Sequence, residues 1–261
     1  MTAKYPAKAH ARTVYQHFAS KTATSEPAVF YIAGDDLVLY KYCDQTAPLR
    51  QNRYFFYLSG CSIPGSHVVY NSKSDKLVLY LPNIDKDDVM WSGLPLSLDQ
   101  ARAKFDVDDV KYVDDLEADL SELTKLTPGP IYTTDINDFN KKISQYLTAG
   151  DADFFFALDE SRMIKDSYEI GLMRKAAQIT DNCHLAVMKA TPIEENETHI
   201  HAEFMYHALR QGLKYQSYDP ICCSGENCST LHYVKNDEDI ETRRSVLIDA
   251  GAEWECYASD V

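Results

Sequence analysis

Two aspartates near the end of the sequence are the residues whose type and spacing could do chemistry. Asp249 and Asp260 lie eleven positions apart, on two short strand-like stretches that are joined by a turn. A hairpin centred on Trp254 and Glu255 would place them directly opposite each other, with their Cβ atoms roughly 5 Å apart. Two ionised carboxylates at that separation repel each other unless a positive charge lies between them. The pair therefore predicts a site for one or two hard cations.

Spacing alone leaves a structural alternative open for each candidate residue in this region. The two aspartates could instead accept hydrogen bonds from backbone amides at strand ends. His232 follows Leu231 in a strand-like stretch and could be a core histidine with one satisfied ring nitrogen. The nearby cysteines match no zinc-ribbon spacing, which favours buried packing thiols; they are Cys222, Cys223, Cys228 and Cys256.

Composition limits the classes of protein and of partner. The chain has 261 residues, enough for two domains, and its 45% hydrophobic content contains no apolar run long enough for a membrane span. With 40 acidic and 26 basic residues the formal charge is −14. A net negative charge disfavours sequence-independent binding to nucleic acid or to anionic lipid. We therefore expect neither nucleic acid nor a membrane as a partner.

The N-terminal residues and the cysteines bear on the compartment. Basic residues at Lys4, Lys8 and Arg12, with no acidic residue before Glu26, raise the question of a transit peptide. Aromatic residues scattered through a predicted helix, and the lack of an apolar core region, argue against a targeting segment. The seven cysteines show no paired-motif spacing, which is typical of free thiols in a reducing compartment. The prediction is a cytoplasmic protein.

The elements that must position the aspartates divide into two halves. Strand-like runs fill the first half, with a short amphipathic helix at residues 98–105. The predicted strands are residues 28–34, 36–40, 54–58, 67–70 and 76–81, the first two of them paired across a Gly-Asp turn. We expect one mixed α/β domain over residues 1–158, and a second domain over residues 159–261.

Two helices open the second half. Asp166 and Glu169 fit a capping box, and the helix that they start carries an apolar stripe at spacings of three and four. The stripe consists of Leu172, Ala176, Ile179, Cys183 and Val187. A second helix is predicted over residues 197–211, with Gly212 after its end. Both helices are expected to pack on a curved antiparallel sheet that contains the terminal hairpin.

Several motifs together resemble the proline-specific metallopeptidases of the pita-bread fold, the family of aminopeptidase P and prolidase. In the second half they are residues 224–233 (SGENCSTLHY), 247–251 (LIDAG) and 257–261 (YASDV). In the first half, residues 49–52 (LRQN), 54–60 (YFFYLSG) and 91–95 (WSGLP) resemble the creatinase-like N-terminal domain of those enzymes. The resemblance covers nearly the whole chain and points in particular to fungal Xaa-Pro aminopeptidases. It implies an α+β or α/β chain, with a creatinase-like N-terminal domain followed by an incomplete pita-bread catalytic domain.

The resemblance also implies a set of site residues. The family site holds two metal ions per subunit, usually Mn²⁺, on two aspartates, one histidine and two glutamates. Asp249 and Asp260 match the two aspartates as metal ligands, and the metals activate water and polarise the carbonyl before proline. His232 matches a histidine that contacts the substrate and stabilises developing charge. Tyr218 matches a position that lines the same substrate pocket.

The sequence departs from the family pattern at two places. Val261 follows Asp260 directly, so the remaining histidine and both glutamate ligands have no counterpart here, and we expect these 261 residues alone to be inactive. Val234 stands where relatives commonly carry glycine, and the loop over residues 235–244 looks shortened, which affects the placement of His232.

Three functions remain as hypotheses. The first is an Xaa-Pro aminopeptidase, which releases an N-terminal residue linked to proline. Its close variant is an Xaa-Pro dipeptidase, or prolidase. A hypothesis of another class is a non-catalytic pita-bread module that binds peptide or protein. The expected partners are peptides with proline at the second position, and a homodimer is left open.

Overall fold

The chain folds as two compact units. The structure, a computed structural model, describes residues 4–136, 141–240 and 245–261. The two units are Met1–Ile164 and Lys165–Val261. The domain boundary predicted between residues 158 and 159 falls inside the last helix of the first unit, Ala152–Met163, and the extent of the domains stays a prediction.

The first unit is a mixed sheet with helices around it. Its strands are β1 (Val29–Ala33), β2 (His67–Asn71), β3 (Lys76–Leu81), β4 (Asp109–Tyr112), β5 (Ile131–Thr133) and β6 (Leu147–Ala149). Its helices are α1 (Ala7–Thr22), α2 (Arg53–Ser59), α3 (Lys86–Ser92), α4 (Leu98–Lys104), α5 (Leu116–Leu126), α6 (Lys141–Ser144) and α7 (Ala152–Met163).

Alternate side chains of β1 cover the two faces of the sheet. The strand order is β4-β3-β2-β1-β5-β6, and β1 pairs antiparallel with β2 and parallel with β5. Phe30 meets Phe18 of α1 and Phe154 of α7, at ring-centroid distances of 5.5 and 5.2 Å. Tyr31 points to the other face and joins a core cluster with Leu116 of α5. The period-two alternation of a strand thus places one helix layer on each side.

Most predicted elements of the first half are confirmed, but residues 54–58 are not a strand. They belong to α2, in which the Asn52 side chain accepts hydrogen bonds from the amides of Tyr54 and Phe55, at 2.9 and 3.1 Å. Gly60 ends the helix with a left-handed φ of 64°. These caps and the burial of the aromatic side chains override the strand preference of the aromatic run.

The strand predicted at residues 36–40 is also wrong. Its residues form a loop that folds back on itself. An isolated β-bridge joins Leu39 and Thr46, and the backbone amide of Ala47 donates a hydrogen bond to the carbonyl of Val38 at 2.8 Å. The side chain of Val38 is 67% exposed, so this apolar run does not pack against the sheet. β1 takes its sheet partners from β2 and β5 instead.

The second unit has two helices and short antiparallel strands. Its elements are α8 (Ser167–Ala190), α9 (Glu197–Arg210), β7 (Ile221–Ser224), β8 (Val246–Asp249), β9 (Glu253–Trp254) and β10 (Tyr257–Ala258), with short 3₁₀ turns after α8 and β7. The capping box of Asp166 and Glu169 is confirmed, and the predicted stripe of α8 is buried. Ile179, Cys183 and Val187 of this stripe pack with Phe204 of α9 and with Ala250 and Ala252 of the terminal segment into one core.

No helix in the described residues of either unit is long and apolar enough to cross a membrane. This agrees with the absence of a long apolar run from the sequence.

Burial of His67 predicts that acid destabilises the first unit. The hydroxyl of Tyr31 and Nδ1 of His67 form a hydrogen bond of 2.8 Å, and burial lowers the pKa of this histidine to about 4 from 6.5, against the opposing effect of the charge on Asp36. A histidine with a lowered pKa favours folding above its unfolded pKa, and this contribution is lost as pH falls from about 6.5 through about 4. We expect a loss on the order of 2 kcal/mol in the free energy of unfolding over that range.

Urea unfolding followed by circular dichroism at several pH values measures this loss. His67→Gln keeps an acceptor for Tyr31 and does not titrate, so its stability should change less over the same range. Equal acid sensitivity in His67→Gln and the parent chain would contradict the assignment.

Candidate metal centre

The terminal hairpin has a different register from the predicted one. Tyr257 lies opposite Trp254, and the Ser259 amide donates to the carbonyl of Ala252 at 2.9 Å. The turn is centred on Glu255 and Cys256, whose φ angles are 46° and 65°. Two consecutive positive φ angles are typical of a type I′ turn, although the Asn-Gly signal of that turn is missing.

Asp249 and Asp260 are therefore not directly opposite each other, which corrects the prediction. The turn centre lies one residue later than expected, and this moves each residue's partner by two positions. Because side chains alternate between faces with a period of two, a shift of two keeps both carboxylates on the same face. They are diagonal neighbours in the extended hairpin, within reach of a common ligand.

One hydroxyl group joins the two carboxylates. The hydroxyl of Tyr218 lies 2.9 Å from Oδ1 of Asp260 and also donates to Oδ1 of Asp249. The structure thus brings together three of the four residues that the sequence proposed for the site. Asp260 is exposed, whereas Asp249 and Tyr218 are half-buried, so the cluster opens to solvent on the side of Asp260.

Backbone pairing holds Tyr218 beside the hairpin. The amide of Ser217 donates to the carbonyl of Gly251 at 2.9 Å, and its hydroxyl donates to the carbonyl of Ser259 at 2.7 Å. Ser217 therefore bonds to both arms of the hairpin, next to the residue that joins their carboxylates. Sequence analysis missed this serine, because its role depends on a contact between segments that are far apart in the chain.

Side chains of helix α8 form hydrogen bonds with the hairpin and with the residues that lead into it. The hydroxyl of Thr180 accepts the amide of Ala252 at 2.9 Å, and Nε2 of His184 lies 2.9 Å from the carbonyl of Ala250. Tyr257 donates to Oε1 of Glu169 at 2.8 Å. These contacts were also missed, although a signal existed, since Thr180 is a polar residue inside the apolar stripe of α8.

The electrostatics of the cluster keep the proton on Tyr218. Burial, and then the hydrogen bonds to Asp249 and Asp260, raise the pKa of this phenol well above its ordinary value. The site at neutral pH therefore combines a neutral hydroxyl with two carboxyl groups. Carboxylate oxygens are the donors that Mn²⁺, Mg²⁺ and Ca²⁺ prefer, so the donor set fits a hard divalent cation.

His232 lies outside this cluster. It is exposed, in a turn that follows the 3₁₀ segment Gly225–Ser229, so the alternative of a core histidine in a strand is wrong. In the described part of the chain no hydrogen bond joins it to Tyr218, Asp249 or Asp260. The predicted shortening of the loop over residues 235–244 falls partly on residues 241–244, which lie outside the described residues.

The cysteines are free thiols, and two of those near the site are core residues. Cys222 and Cys223 are buried, and burial raises the pKa of Cys222 to about 12 and that of Cys223 to about 11. A thiol with a raised pKa is a poor nucleophile and a poor metal ligand at neutral pH. This confirms the interpretation of both as packing thiols, whereas Cys228 and Cys256 are only partly buried.

Family models match both parts of the chain. Residues 10–132 match the aminopeptidase P N-terminal domain, and residues 171–261 match metallopeptidase family M24. The second match includes Tyr218, His232, Asp249 and Asp260.

Similar sequences come from fungi. An uncharacterised peptidase of Saccharomyces cerevisiae is 52% identical and aligns with 99% of this chain, which covers 48% of that protein. A probable Xaa-Pro aminopeptidase of Sordaria macrospora is 38% identical, with 99% of this chain and 56% of that protein covered. The chain thus spans about half the length of these curated relatives.

Solved structures share the fold. The aminopeptidase PepP of Pseudomonas aeruginosa superposes with a TM-score of 0.79 at 23% identity, over 98% of this chain and 61% of that chain. Aminopeptidase P of Escherichia coli with the inhibitor Pro-Leu gives a TM-score of 0.74 at 26% identity, over 96% and 61%.

Tyr218→Phe should destabilise the second unit at neutral pH. The substitution removes the hydroxyl donor from between two carboxylates, and we expect a loss of about 1 kcal/mol in the free energy of unfolding. Denaturant unfolding at pH 7 measures this loss, with Tyr215→Phe as the matched control. A loss in Tyr218→Phe no larger than that in the control would count against the role of the phenol.

Gly251→Ala should disrupt the hairpin. A Cβ atom at this position would lie 1.7 Å from the carbonyl oxygen of Ser259, which is a backbone atom and cannot turn aside. We expect a cost of roughly 3 kcal/mol or more, since overpacking against backbone forces the strands apart. Gly171→Ala in α8 is the control, because its Cβ would meet nothing and alanine favours helix. Thermal melts that place both variants at the parent stability would refute the close approach.

Proposed function

Since this chain belongs to the aminopeptidase P type of M24 metallopeptidases, we propose that the protein functions as a metal-dependent Xaa-Pro aminopeptidase. Such an enzyme releases an N-terminal residue that is linked to proline. The curated fungal relatives are called probable Xaa-Pro aminopeptidases, and the Escherichia coli enzyme of similar fold was solved with Pro-Leu.

The observation that carries the proposal is the convergence of Asp249 and Asp260 on one hydroxyl. Two carboxylates on one face of a hairpin, open to solvent on one side, provide oxygen donors of the kind that a hard divalent cation binds. We propose that they hold divalent metal, and specifically two Mn²⁺ ions together with ligands from outside these residues. When bound, the metal would supply Lewis acidity, which activates water and polarises the carbonyl before proline.

Tyr218 has a positioning role in this proposal. Its proton is held firmly, so it acts as a donor and not as a base at neutral pH. By bonding both carboxylates it keeps them together, and it lines the substrate side of the site.

We assign His232 to substrate contact. Its exposure leaves the imidazole outside the protein core, where its ring nitrogens can reach a peptide carbonyl. It would be a catalytic residue in the sense that it touches the substrate.

We propose peptides with proline at the second position as the substrates, in the cytoplasm. The free cysteines fit a reducing compartment. The formal charge of −14 makes nucleic acid an unfavourable partner.

One observation favours a second candidate, a non-catalytic peptide-binding module. The hydroxyl of Tyr218 lies within hydrogen-bond reach of both carboxylates, a contact that would also hold the pair together in a protein that binds no metal. The two candidates differ in whether Mn²⁺ binds at the aspartates.

Mn²⁺ binding should depend on both aspartates and not on a neighbouring carboxylate. We expect Asp249→Asn and Asp260→Asn each to weaken Mn²⁺ binding at least tenfold, because each removes a charged oxygen donor. Calorimetric titration of the chain with Mn²⁺ measures the change, and Asp219→Asn is the matched control, since Asp219 is exposed beside Tyr218. Similar affinities in all three variants would favour the non-catalytic module.

The reaction itself is tested on the longest natural form of the protein. Mn²⁺-dependent release of the first residue from an Xaa-Pro-Yaa tripeptide, abolished in Asp249→Asn, is the expected result. Cleavage confined to Xaa-Pro dipeptides would indicate a prolidase, and no cleavage of either substrate would overturn the enzyme proposal.

A further inference from the structure

A buried carboxylate lies at the start of α9, outside the metal centre. Glu197 is the first residue of this helix and has 0% exposure. The side chain of Asn196, one residue before it, caps the helix by accepting the amide of Thr198 at 2.8 Å. A buried glutamate in the first turn is unusual, because glutamate is rarely buried without partners.

Within the described residues, five hydrogen bonds converge on this carboxylate. Oε1 accepts the amide and the hydroxyl of Ser224, both at 2.8 Å, and the side-chain amide of Asn227 at 3.1 Å. Oε2 accepts the hydroxyl of Tyr233 at 2.8 Å and the amide of Glu238 at 3.2 Å. All five donors are neutral, and all belong to the segment of residues 224–238, which we call the His232 segment.

The backbone at the start of α9 fixes the far end of the same segment. The amide of Glu197 donates to the carbonyl of Glu238 at 3.0 Å, and the Thr198 hydroxyl donates to the carbonyl of Asn236 at 2.6 Å. Asn236 adopts a left-handed φ of 48°, and its side chain accepts the amide of Cys222 at 2.8 Å. The segment is thus closed into a loop around Glu197.

The donors also keep Glu197 ionised. Burial raises the pKa of this carboxyl, but the hydrogen bonds from Asn227, Tyr233, Ser224 and Glu238 outweigh burial, so the net pKa is lower than usual. Hydrogen bonds to a charged acceptor are stronger than those between neutral groups. The charge therefore strengthens every bond that holds the loop.

His232 has no such anchor of its own. It is exposed, while its neighbour Tyr233 is half-buried with its hydroxyl on Glu197. The side-chain amide of Asn227 donates to Glu197 and to the Tyr233 hydroxyl, at 3.1 and 3.0 Å. Asn227 and Tyr233 therefore fix the chain before and after His232. The position of His232 is set through these two residues.

We propose that Glu197 is a positioning residue, which holds the His232 segment in one conformation and so presents His232 to substrate. The part of this inference that concerns substrate rests on the proposed function. The part that concerns the loop rests on the contacts alone, and the two can be tested separately.

Hydrogen exchange tests the loop directly in this chain. In Glu197→Gln the amide nitrogen of the new side chain would face the donor amide of Glu238, so at least one bond is replaced by a donor-donor contact. We expect exchange in residues 224–238 to become at least tenfold faster, with α8 and β1 unchanged. Glu203→Gln on the same helix, where Glu203 bonds only His207 in the described residues, is the matched control and should leave this segment unchanged. Equal exchange in the two variants would overturn the proposal.

A second variant guards against general unfolding. Tyr233→Phe removes one bond and leaves the buried carboxylate with the other four donors found in the described residues, so the unit should stay folded. We expect a smaller acceleration of exchange, confined to the same segment. Acceleration spread evenly over the unit in both variants would show a general loss of stability and would also overturn the proposal.

The pH dependence follows from the lowered pKa of Glu197. A carboxyl whose pKa is lower in the folded state stabilises the fold above its unfolded pKa, and the contribution is lost as pH falls. Protection of the His232 segment should therefore decrease below about pH 4.5 in the parent chain. In Glu197→Gln, which has no carboxyl to protonate, the protection should be low and independent of pH over this range. The same acid response in both proteins would contradict the role of the charge.

Measurements of activity distinguish the role of Glu197 in the loop from its role in presenting His232 to substrate. In the longest natural form of the protein, Glu197→Gln should lower kcat/KM for an Xaa-Pro-Yaa peptide at least tenfold while Mn²⁺ affinity stays unchanged, since Glu197 does not contact the aspartates. Faster exchange with full activity would overturn the substrate part. A parent protein with no Xaa-Pro activity would instead overturn the proposed function and leave the loop result standing on its own.

Discussion

Two like charges held against one neutral hydroxyl are the constraint on which the second unit depends. Asp249 and Asp260 repel each other when ionised. The register of the hairpin places them on one face, and the single hydroxyl of Tyr218 lies within hydrogen-bond reach of both. The pairing of Ser217 with both arms of the hairpin, and the contacts of Thr180 and His184 with its backbone, are the supports that this arrangement needs. The short strands would not hold such a pair without the helix beneath them.

Sequence reasoning succeeded where local signals agreed with tertiary burial. The capping box and the spaced apolar stripe of α8 act within one element, so they could be read without knowing the fold. It failed at α2, where an aromatic run favoured a strand but Asn52 and Gly60 supplied helix caps. The strand prediction for residues 36–40 was also wrong. This apolar run is exposed, because β1 pairs with β2 and not with these residues. Strand pairing is decided by distant segments, which a local pattern cannot show.

The site could be predicted in part, and by a different route. The spacing of Asp249 and Asp260 placed them on one face of a hairpin but gave the wrong register, and Tyr218 was added to the pair only through the resemblance to a family. Glu197 was invisible in the sequence, where a glutamate at the start of a helix is typical of a solvated residue that favours the helix dipole. Only the structure shows it buried, with donors from four residues of a segment that lies 27 to 41 positions further along the chain.

The close approach at Gly251 makes the length of the terminal turn as important as the chemistry of its ligands. The tight contact between Gly251 and Ser259 is compatible with one alignment of the two arms. One residue added to or removed from the pair Glu255 and Cys256 would send Asp260 to the opposite face, where it could no longer meet Tyr218. Substitutions in the turn leave this alignment in place, whereas a change of one residue in its length does not. Related chains that keep both aspartates but differ by one residue in the length of this turn would have lost the arrangement while retaining its residues.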